Sequence, residues 1–244
     1  MSSVGALRPP ASLPARLPAT VRAVLFDLDG TLLDTAAELG QAANLMLAEL
    51  GRASIAEARV ATFIGKGMPR LVERCLGDAL DPVFDAQEAS RALAAFERHY
   101  AALEGVAPRP FPGVREGLAR LAAAGIACAC VTNKPERFTH PLLDAAGRAH
   151  FFSAEVGGDT VATRKPDPLP ILHACRLLGV APGEALMVGD SDNDTQAARA
   201  AGCGVVCVPY GYNEGRAPAM LDCDGLVDDI NQLAGLVLAQ REPA

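Results

Sequence analysis

The chain has 244 residues, half of them apolar and only 5% aromatic, which is enough for one larger domain or for one domain with an insertion. Its net charge of −7 argues against a protein held to nucleic acid by its overall field, because phosphate backbones attract clustered positive charge. Seven cysteines without a C-x-x-C pair indicate neither a disulfide framework nor a zinc site, so we expect buried thiols in a reducing compartment.

The first 20 residues contain four prolines and no acidic residue, and we predict that residues 1–20 form a disordered tail. The prolines interrupt the apolar run of about 7–15 residues that a secretory signal needs. A transit peptide stays open, because Arg8, Ser12 and Arg16 fit its composition, although prolines break amphipathic helices. The longest nearly unbroken apolar run, Leu121 to Val131, is about half of the ~20 residues that a membrane span requires. We therefore expect a cytoplasmic protein with no membrane partner.

Apolar segments that end in polar turns recur along the chain. The run from Val21 to Phe26 stops at the acidic turn D-L-D-G-T, and four similar segments follow at 125–131, 152–156, 185–188 and 204–208. Helical patterns separate them, at 114–124, 135–146, 168–178 and 195–201. Such alternation predicts an α/β fold with a doubly wound parallel sheet, whose ligand crevice lies beyond the carboxyl ends of the strands. We assign this core to residues 21–35 and 112–244.

The region from 36 to 111 breaks the alternation. Leu39, Ala43, Met46 and Leu50 step by three or four along one helical face, and the segments 68–76 and 83–100 repeat this pattern. We therefore predict a cap made only of helices, inserted between the first and second strands of the core.

The turn after the first strand carries two carboxylates, Asp27 and Asp29. In a continuing strand both would face one side, where like charges disfavour joint ionisation unless a cation lies between them. An ordinary Asp-rich turn or helix cap is the alternative, and for an isolated D-x-D-G it is about as plausible as a functional site.

A second acidic turn follows the strand at 185–188, with Asp190, Asp192 and Asp194. Together with the first turn it places five acids at one predicted edge, which indicates a divalent hard cation, and few oxygen ligands with retained water suit Mg²⁺. A Ca²⁺ loop does not fit, because the twelfth position from Asp190 is Ala201. A capped helix start is compatible with metal binding here.

Thr132 and Asn133 follow the strand that ends at Val131, just before a predicted helix. They offer a hydroxyl, an amide and helix N-terminal N–H groups to an anion, although Thr or Asn before proline is also common in ordinary turns. Lys165 would usually be a solvated charge. It is, however, one of only three lysines among 22 basic residues, the others being Lys66 and Lys134.

Together these residues resemble the haloacid dehalogenase superfamily of phosphotransferases. The matching motifs are D-x-D-G-T at 27–31, the strand-end Thr132, Lys165 and G-D-x-x-x-D at 189–194, and the helical insert lies where one subclass carries its cap. The details are most similar to the phosphoglycolate phosphatases, in IGKG at 64–67, FPGV at 111–114, VTNKP at 131–135, KPDP at 165–168 and YGYN at 210–213. Asp192 stands where an Arg is common in such enzymes, which weakens the assignment of one substrate.

The resemblance implies a Mg²⁺-dependent hydrolase of a small phosphorylated metabolite. Asp27 would be the nucleophile and Asp29 the general acid and base, and the second Asp favours ester hydrolysis over dehalogenation. Mg²⁺ would be held by the Asp27 and Asp190 side chains and by the Asp29 carbonyl. Thr132, Asn133 and Lys165 would bind the phosphoryl group, with Thr31 and Asp194 supporting them.

Substrate choice should lie in the cap, where Lys66 could meet a substrate carboxylate and Arg70 is a second candidate. Arg70 and Arg74 are, however, expected mainly on a solvated helix face. We expect 2-phosphoglycolate as the substrate, with a phosphatase of sugar phosphates or another small metabolite, or a phosphomutase, as the alternative. A non-catalytic receiver-like or scaffold protein would be marked by the loss of Asp29 or Lys165, and both are present. We expect a monomer or a homodimer.

Overall fold

The computed structural model describes residues 18–103 and 108–241. The tail predicted over residues 1–20 therefore lies almost wholly outside the described residues. No helix in the described ranges combines the length and apolar character needed to cross a bilayer. All seven cysteines have free thiols.

A five-stranded parallel sheet forms the centre of the fold. Its strands are β1 (Ala23–Phe26), β4 (Ala127–Val131), β5 (Ala154–Val156), β6 (Ala185–Gly189) and β7 (Gly204–Cys207), and they lie in the order β5-β4-β1-β6-β7. Nearly all of their residues are buried, as expected for strands that are covered on both faces. The predicted doubly wound α/β sheet is confirmed.

Helices cover the two faces of this sheet. They are α5 (Val114–Ala123), α6 (Glu136–Ala145), α7 (Leu169–Leu178), α8 (Asp192–Ala201) and α9 (Ile230–Ala239). Alternate residues of β1 serve the two faces, because Val24 and Phe26 pack with α5, α6 and α9, whereas Leu25 packs with α7 and α8. The sequence patterns did not predict α9, whose packing against α5 closes one face.

Residues 36–102 form four helices, namely α1 (Ala36–Glu49), α2 (Glu57–Ala61), α3 (Gly67–Gly77) and α4 (Ala86–Ala102). They share a hydrophobic cluster of their own, to which α6 contributes Phe138. The boundaries proposed for a cap at 36–111 stay a prediction.

The prediction that 36–111 contains only helices is wrong at one end. Strand β2 (Leu33–Asp34) pairs antiparallel with β3 (Arg109–Pro110), and the Phe111 N–H donates to the Leu32 carbonyl at 3.1 Å. The chain passes between the sheet and the four helices once in each direction, so the two crossing segments run side by side. Pairing satisfies their backbone groups.

Candidate active site

Three neighbouring strands end at one edge of the sheet with polar residues. Asp27 follows β1, Thr132 follows β4 and Asp190 follows β6. Because β1 lies between β4 and β6, parallel pairing brings these three strand ends side by side. The loop after β5 adds Lys165, whose ammonium lies 3.0 Å from Asp27 Oδ1. Four of the residues singled out in the sequence therefore meet at one place.

Two glycines allow the acidic side chains to approach so closely. Gly30 has a φ of +87°, and a Cβ at this position would lie 2.4 Å from Asp190 Oδ2. A Cβ on Gly189 would lie 2.2 Å from the Asp194 carboxyl carbon. Both distances are far below van der Waals contact, so larger residues would displace the carboxylates.

Asp27, Asp190 and Asp194 form a buried acidic cluster, in which one oxygen of each lies within 4.8 Å of the others. Burial raises the pKa of Asp27 to about 7, opposed by Lys165 and reinforced by Asp194 and Asp29. Burial also raises the pKa of Asp190 well above its usual range, with Asp194 and Asp27 adding to the effect. Carboxylates this close do not all ionise without a cation, and hard oxygen donors are what Mg²⁺ prefers.

Lys165 supplies one positive charge to this cluster. Its Nζ lies 3.0 Å from Asp27 Oδ1 and 2.7 Å from Asp194 Oδ1, and it donates to the Val131 carbonyl at 2.6 Å. Burial alone would lower the pKa of Lys165, but the Asp194 and Asp27 carboxylates outweigh it and the pKa is raised. Lys165 is therefore charged, and one ammonium faces three carboxyl groups.

Thr31 and Asp194 make hydrogen bonds that position the acidic cluster. Thr31 Oγ1 donates to Asp190 Oδ1 at 3.2 Å. Asp194 Oδ2 accepts hydrogen bonds from the backbone N–H groups of Asp190 and Ser191 and from the Ser191 hydroxyl, at 3.2, 3.1 and 2.8 Å. With its other oxygen on Lys165, Asp194 fixes the β6–α8 turn relative to the lysine. The supporting roles of both residues in the reaction stay a prediction.

The Asp29 carboxylate has different partners from Asp27. Lys134 Nζ lies 3.0 and 3.1 Å from its two oxygens, and Thr35 Oγ1 donates to Oδ1 at 2.7 Å. Lys134 is buried, with its Nζ 4.9 Å from the centroid of the Tyr100 ring on α4. Burial alone would lower the pKa of Lys134, but the Asp29 carboxylate and Tyr100 more than offset this effect, and the resulting pKa is raised. The site therefore contains two acid–lysine pairs, Asp27 with Lys165 and Asp29 with Lys134.

Thr132 and Asn133 differ in what they can offer to a ligand. Thr132 lies at the cleft, where its Oγ1 accepts a hydrogen bond from the Lys134 N–H at 3.2 Å. The Asn133 amide nitrogen already donates to the Gly65 and Lys165 carbonyls, at 3.0 and 2.9 Å. Asn133 therefore ties the loop before α3 to the Lys165 loop, whereas the sequence suggested that its amide donates to an anion.

The structure does not bring Lys66 into the cleft next to Asp27. The Lys66 ammonium lies 3.1 Å from Glu214 Oε1, and it lines a neighbouring groove. Arg70 lines that same groove and pairs with Glu73 and Asp81. Neither side chain is in place to contact a ligand bound between Asp27 and Thr132.

Arg74 is buried, so the expectation of a solvated position for it is wrong. Only 1% of its side chain is exposed. Its guanidinium donates to the Leu80 and Phe63 carbonyls at 2.9 and 3.2 Å and to Glu214 at 2.7 Å. These three acceptors compensate the cost of burying the Arg74 charge, which helical periodicity alone placed in solvent.

The cleft beside Asp27 and Thr132 is closed by the helical region. Apolar side chains from α1, α3 and the loop before α3 line its far wall, namely Leu39, Ile64, Met68 and Leu71. The Gly65 carbonyl also accepts from the Asn193 amide at 3.3 Å. The resulting pocket has one charged wall and one apolar wall, which suits a small anionic molecule.

Sequence reasoning missed the partners of Asp29. Lys134 stood out only as a rare lysine next to a polar turn, and its pairing depends on the adjacency of β1 and β4. Thr35 and Tyr100 carried no motif. Tyr100 reaches Lys134 from α4, a helix whose position relative to the sheet no local pattern specifies.

The chain is similar to known proteins along most of its length. The family model described as haloacid dehalogenase-like hydrolase matches residues 21–202. A protein of Thiobacillus denitrificans named phosphoglycolate phosphatase is 50% identical over 220 residues, which cover 90% of this chain and 97% of that protein. A plasmid-encoded phosphoglycolate phosphatase of Cupriavidus necator is 47% identical over 226 residues, covering 92% and 96%.

Two solved structures of similar proteins have the same fold as this chain. The crystal structure of a "predicted phosphoglycolate phosphatase" from Haemophilus somnus 129pt superposes with a TM-score of 0.80 at 34% identity, covering 88% of this chain and 97% of that one. CbbY from Rhodobacter sphaeroides, in complex with phosphate, gives 0.69 at 27% identity, covering 88% and 96%.

Proposed function

The chain belongs to the haloacid dehalogenase-like hydrolase family, and from that premise we propose that it is a Mg²⁺-dependent phosphatase of 2-phosphoglycolate that works through phosphorylation of Asp27. The chemistry is carried by one observation, the buried Asp27 carboxyl paired with Lys165 at 3.0 Å next to Asp190 and Asp194. The substrate is supported by relatives of that name that match over nearly their whole length.

The residues present fit Mg²⁺. Three buried carboxyl groups with oxygens within 4.8 Å of one another form a hard donor set with more negative charge than Lys165 balances. Following the family resemblance, we assign the metal to the Asp27 and Asp190 side chains and the Asp29 carbonyl. Asp194 keeps a supporting role, because one of its oxygens pairs with Lys165 and the other accepts three hydrogen bonds. Bound Mg²⁺ would neutralise charge on the phosphoryl oxygens.

The first half-reaction joins Asp27 to phosphorus. A carboxylate oxygen of Asp27 attacks the phosphoryl group, the ester P–O bond breaks, and Asp29 gives a proton to the leaving glycolate oxygen. Repulsion between Asp27 and a phosphate dianion amounts to about 4 kcal/mol for each charge pair at ~4 Å and an effective dielectric constant near 20, or about 8 kcal/mol in all. Lys165 offsets part of this repulsion, and Thr132 donates its hydroxyl to a phosphoryl oxygen.

The second half-reaction returns the enzyme to its starting state. Asp29 takes a proton from a water molecule whose oxygen attacks phosphorus, and the bond between Asp27 and phosphorus breaks to release inorganic phosphate. Between these steps Lys134 and Thr35 hold the Asp29 carboxylate at the wall of the cleft. The proposal keeps the sequence-based expectations of a cytoplasmic monomer or homodimer.

A phosphate-release panel tests the proposal. Purified protein is assayed with 2-phosphoglycolate, sugar phosphates and other small phosphomonoesters, with Mg²⁺ and with a chelator, and with Asp27→Asn as the contamination control. We expect the highest kcat/KM for 2-phosphoglycolate, and activity only with Mg²⁺ and Asp27. A sugar phosphate with a higher kcat/KM would overturn the substrate, and no release from any ester would overturn the enzymatic function.

A further inference from the structure

The cleft contains a cation that does not touch the phosphoryl group in the proposed mechanism. Among the described residues that line it, Lys134 is the one with a positive charge. The Lys134 side chain is 1% exposed, and its ammonium lies between Asp29 and the ring of Tyr100 on α4. A buried ammonium is costly to desolvate, so its position at a ligand cleft requires an explanation.

The other two lysines are engaged elsewhere. The Lys165 ammonium contacts Asp27, Asp194 and the Val131 carbonyl. Lys66 pairs with Glu214 in the neighbouring groove. Neither is placed to bind a second anionic group of a ligand whose phosphoryl group lies at Asp27.

Lys134 has donor capacity beyond its pair with Asp29. An ammonium has three N–H donors, and the Asp29 oxygens at 3.0 and 3.1 Å occupy at most two of them. The ring centroid of Tyr100 lies 4.9 Å away, and the buried Tyr100 hydroxyl has no hydrogen-bond partner within 3.5 Å among the described residues, although it is close enough to raise the pKa of Lys134. The Tyr100 O–H therefore lies beside the ammonium with no acceptor for its own proton among the described residues.

The spacing fits a short substrate. Lys134 is two residues after Thr132, as Asp29 is two residues after Asp27, and two extended residues span at most about 7 Å. An acid phosphate with a two-carbon chain would therefore reach from the phosphoryl site to the second acid–lysine pair.

We propose that Lys134 determines specificity by binding the carboxylate of the substrate, while Asp27 and Lys165 act on its phosphoryl group. This inference rests on the proposed function and replaces Lys66 as the carboxylate-binding residue. A neutral carboxamide in place of the carboxylate still offers a carbonyl oxygen to Lys134, but it loses the charge that strengthens a hydrogen bond to an ammonium. A pure positioning role, in which Lys134 only holds Asp29, predicts the same loss of activity with every substrate.

The test compares 2-phosphoglycolate with its uncharged carboxamide, 2-phosphoglycolamide, in wild type, Lys134→Met and Lys66→Met. We expect wild type to prefer the acid in kcat/KM by about tenfold, since a hydrogen bond to a charged group is stronger by about 1–1.5 kcal/mol than the neutral one that the amide carbonyl still accepts. Lys134→Met should remove most of this preference, mainly through KM for the acid, whereas Lys66→Met should keep it. Lys134→Gln keeps a donor near Asp29 without the charge, and it gives the same comparison if the Met variant does not fold.

Three outcomes would overturn the inference: no preference for the acid in wild type, an unchanged preference in the Lys134 variants, or a preference lost in Lys66→Met instead. A separate outcome addresses the proposed function. If an unrelated ester has a higher kcat/KM than 2-phosphoglycolate in the panel, the proposed function is wrong. The ratio of kcat/KM for the acid to kcat/KM for the amide still shows whether Lys134 binds the carboxylate.

Discussion

Replacement of Lys165 by methionine removes the one ammonium that contacts the acidic cluster. Attraction between its Nζ and the carboxylates at 3.0 and 2.7 Å corresponds to about 6 kcal/mol each at an effective dielectric constant near 20. Desolvation cancels much of this, and loss of one partner from a buried ion pair costs about 3–5 kcal/mol in practice. We therefore expect Lys165→Met to lower the free energy of unfolding by about 3–5 kcal/mol.

The same substitution should impair catalysis more than folding. Asp27 then approaches a phosphate dianion without the ammonium, and one charge pair at ~4 Å is worth about 4 kcal/mol. This corresponds to a loss of about 10³ in kcat. Lys165→Arg should not restore activity, because a planar guanidinium does not reproduce three contacts made by a compact ammonium.

Urea unfolding and phosphate release measure the two effects. Arg22→Met is the matched control, because Arg22 forms an exposed pair with Glu184 and should change stability by less than about 1 kcal/mol. If Lys165→Met kept a kcat within tenfold of wild type while folded, the assigned role of Lys165 would be wrong.

Two further predictions concern pH and the Glu214 contacts. Burial raises the pKa of Asp27 from 3.8 to about 7, so without Mg²⁺ the folded state binds a proton that the unfolded chain releases. The contribution of Asp27 to the free energy of unfolding, measured as wild type minus Asp27→Asn, should then fall by about 1–3 kcal/mol as pH rises from ~5 to ~7.5. Saturating Mg²⁺ should weaken this dependence on pH. A contribution that rises with pH would contradict the assignment. Glu214→Gln leaves the buried Arg74 without its carboxylate and should cost about 3–5 kcal/mol in urea unfolding. Glu184→Gln is the exposed control. An equally small loss of unfolding free energy in Glu214→Gln and in this control would contradict the prediction.

The sheet could be predicted because its strands are short, apolar and each followed by a polar turn. Such segments alternate with helices, and this pattern has few solutions other than a parallel sheet. The convergence of Asp27, Thr132 and Asp190 then follows from topology. The glycines at positions 30 and 189 were visible as motif letters, but the 2.4 and 2.2 Å clearances that require them were not.

The parts that escaped prediction depend on contacts between distant segments. Lys66 lies in a motif and was expected at the substrate, yet it pairs with Glu214, 148 positions later in the chain. Arg74 follows helical periodicity toward solvent but is covered by the loop that carries Glu214. Helical periodicity describes one element at a time, so it cannot show which face a second segment covers.

The central claim is that Asp27 becomes phosphorylated during turnover. Rapid acid quenching of enzyme during steady-state hydrolysis of 2-phosphoglycolate with Mg²⁺, followed by mass spectrometry, tests it directly. We predict one added phosphoryl group on the peptide that contains Asp27, sensitive to hydroxylamine as an acyl phosphate and missing in Asp27→Asn. Full-rate phosphate release with no modified Asp27, or with the phosphoryl group on another residue, would contradict the account.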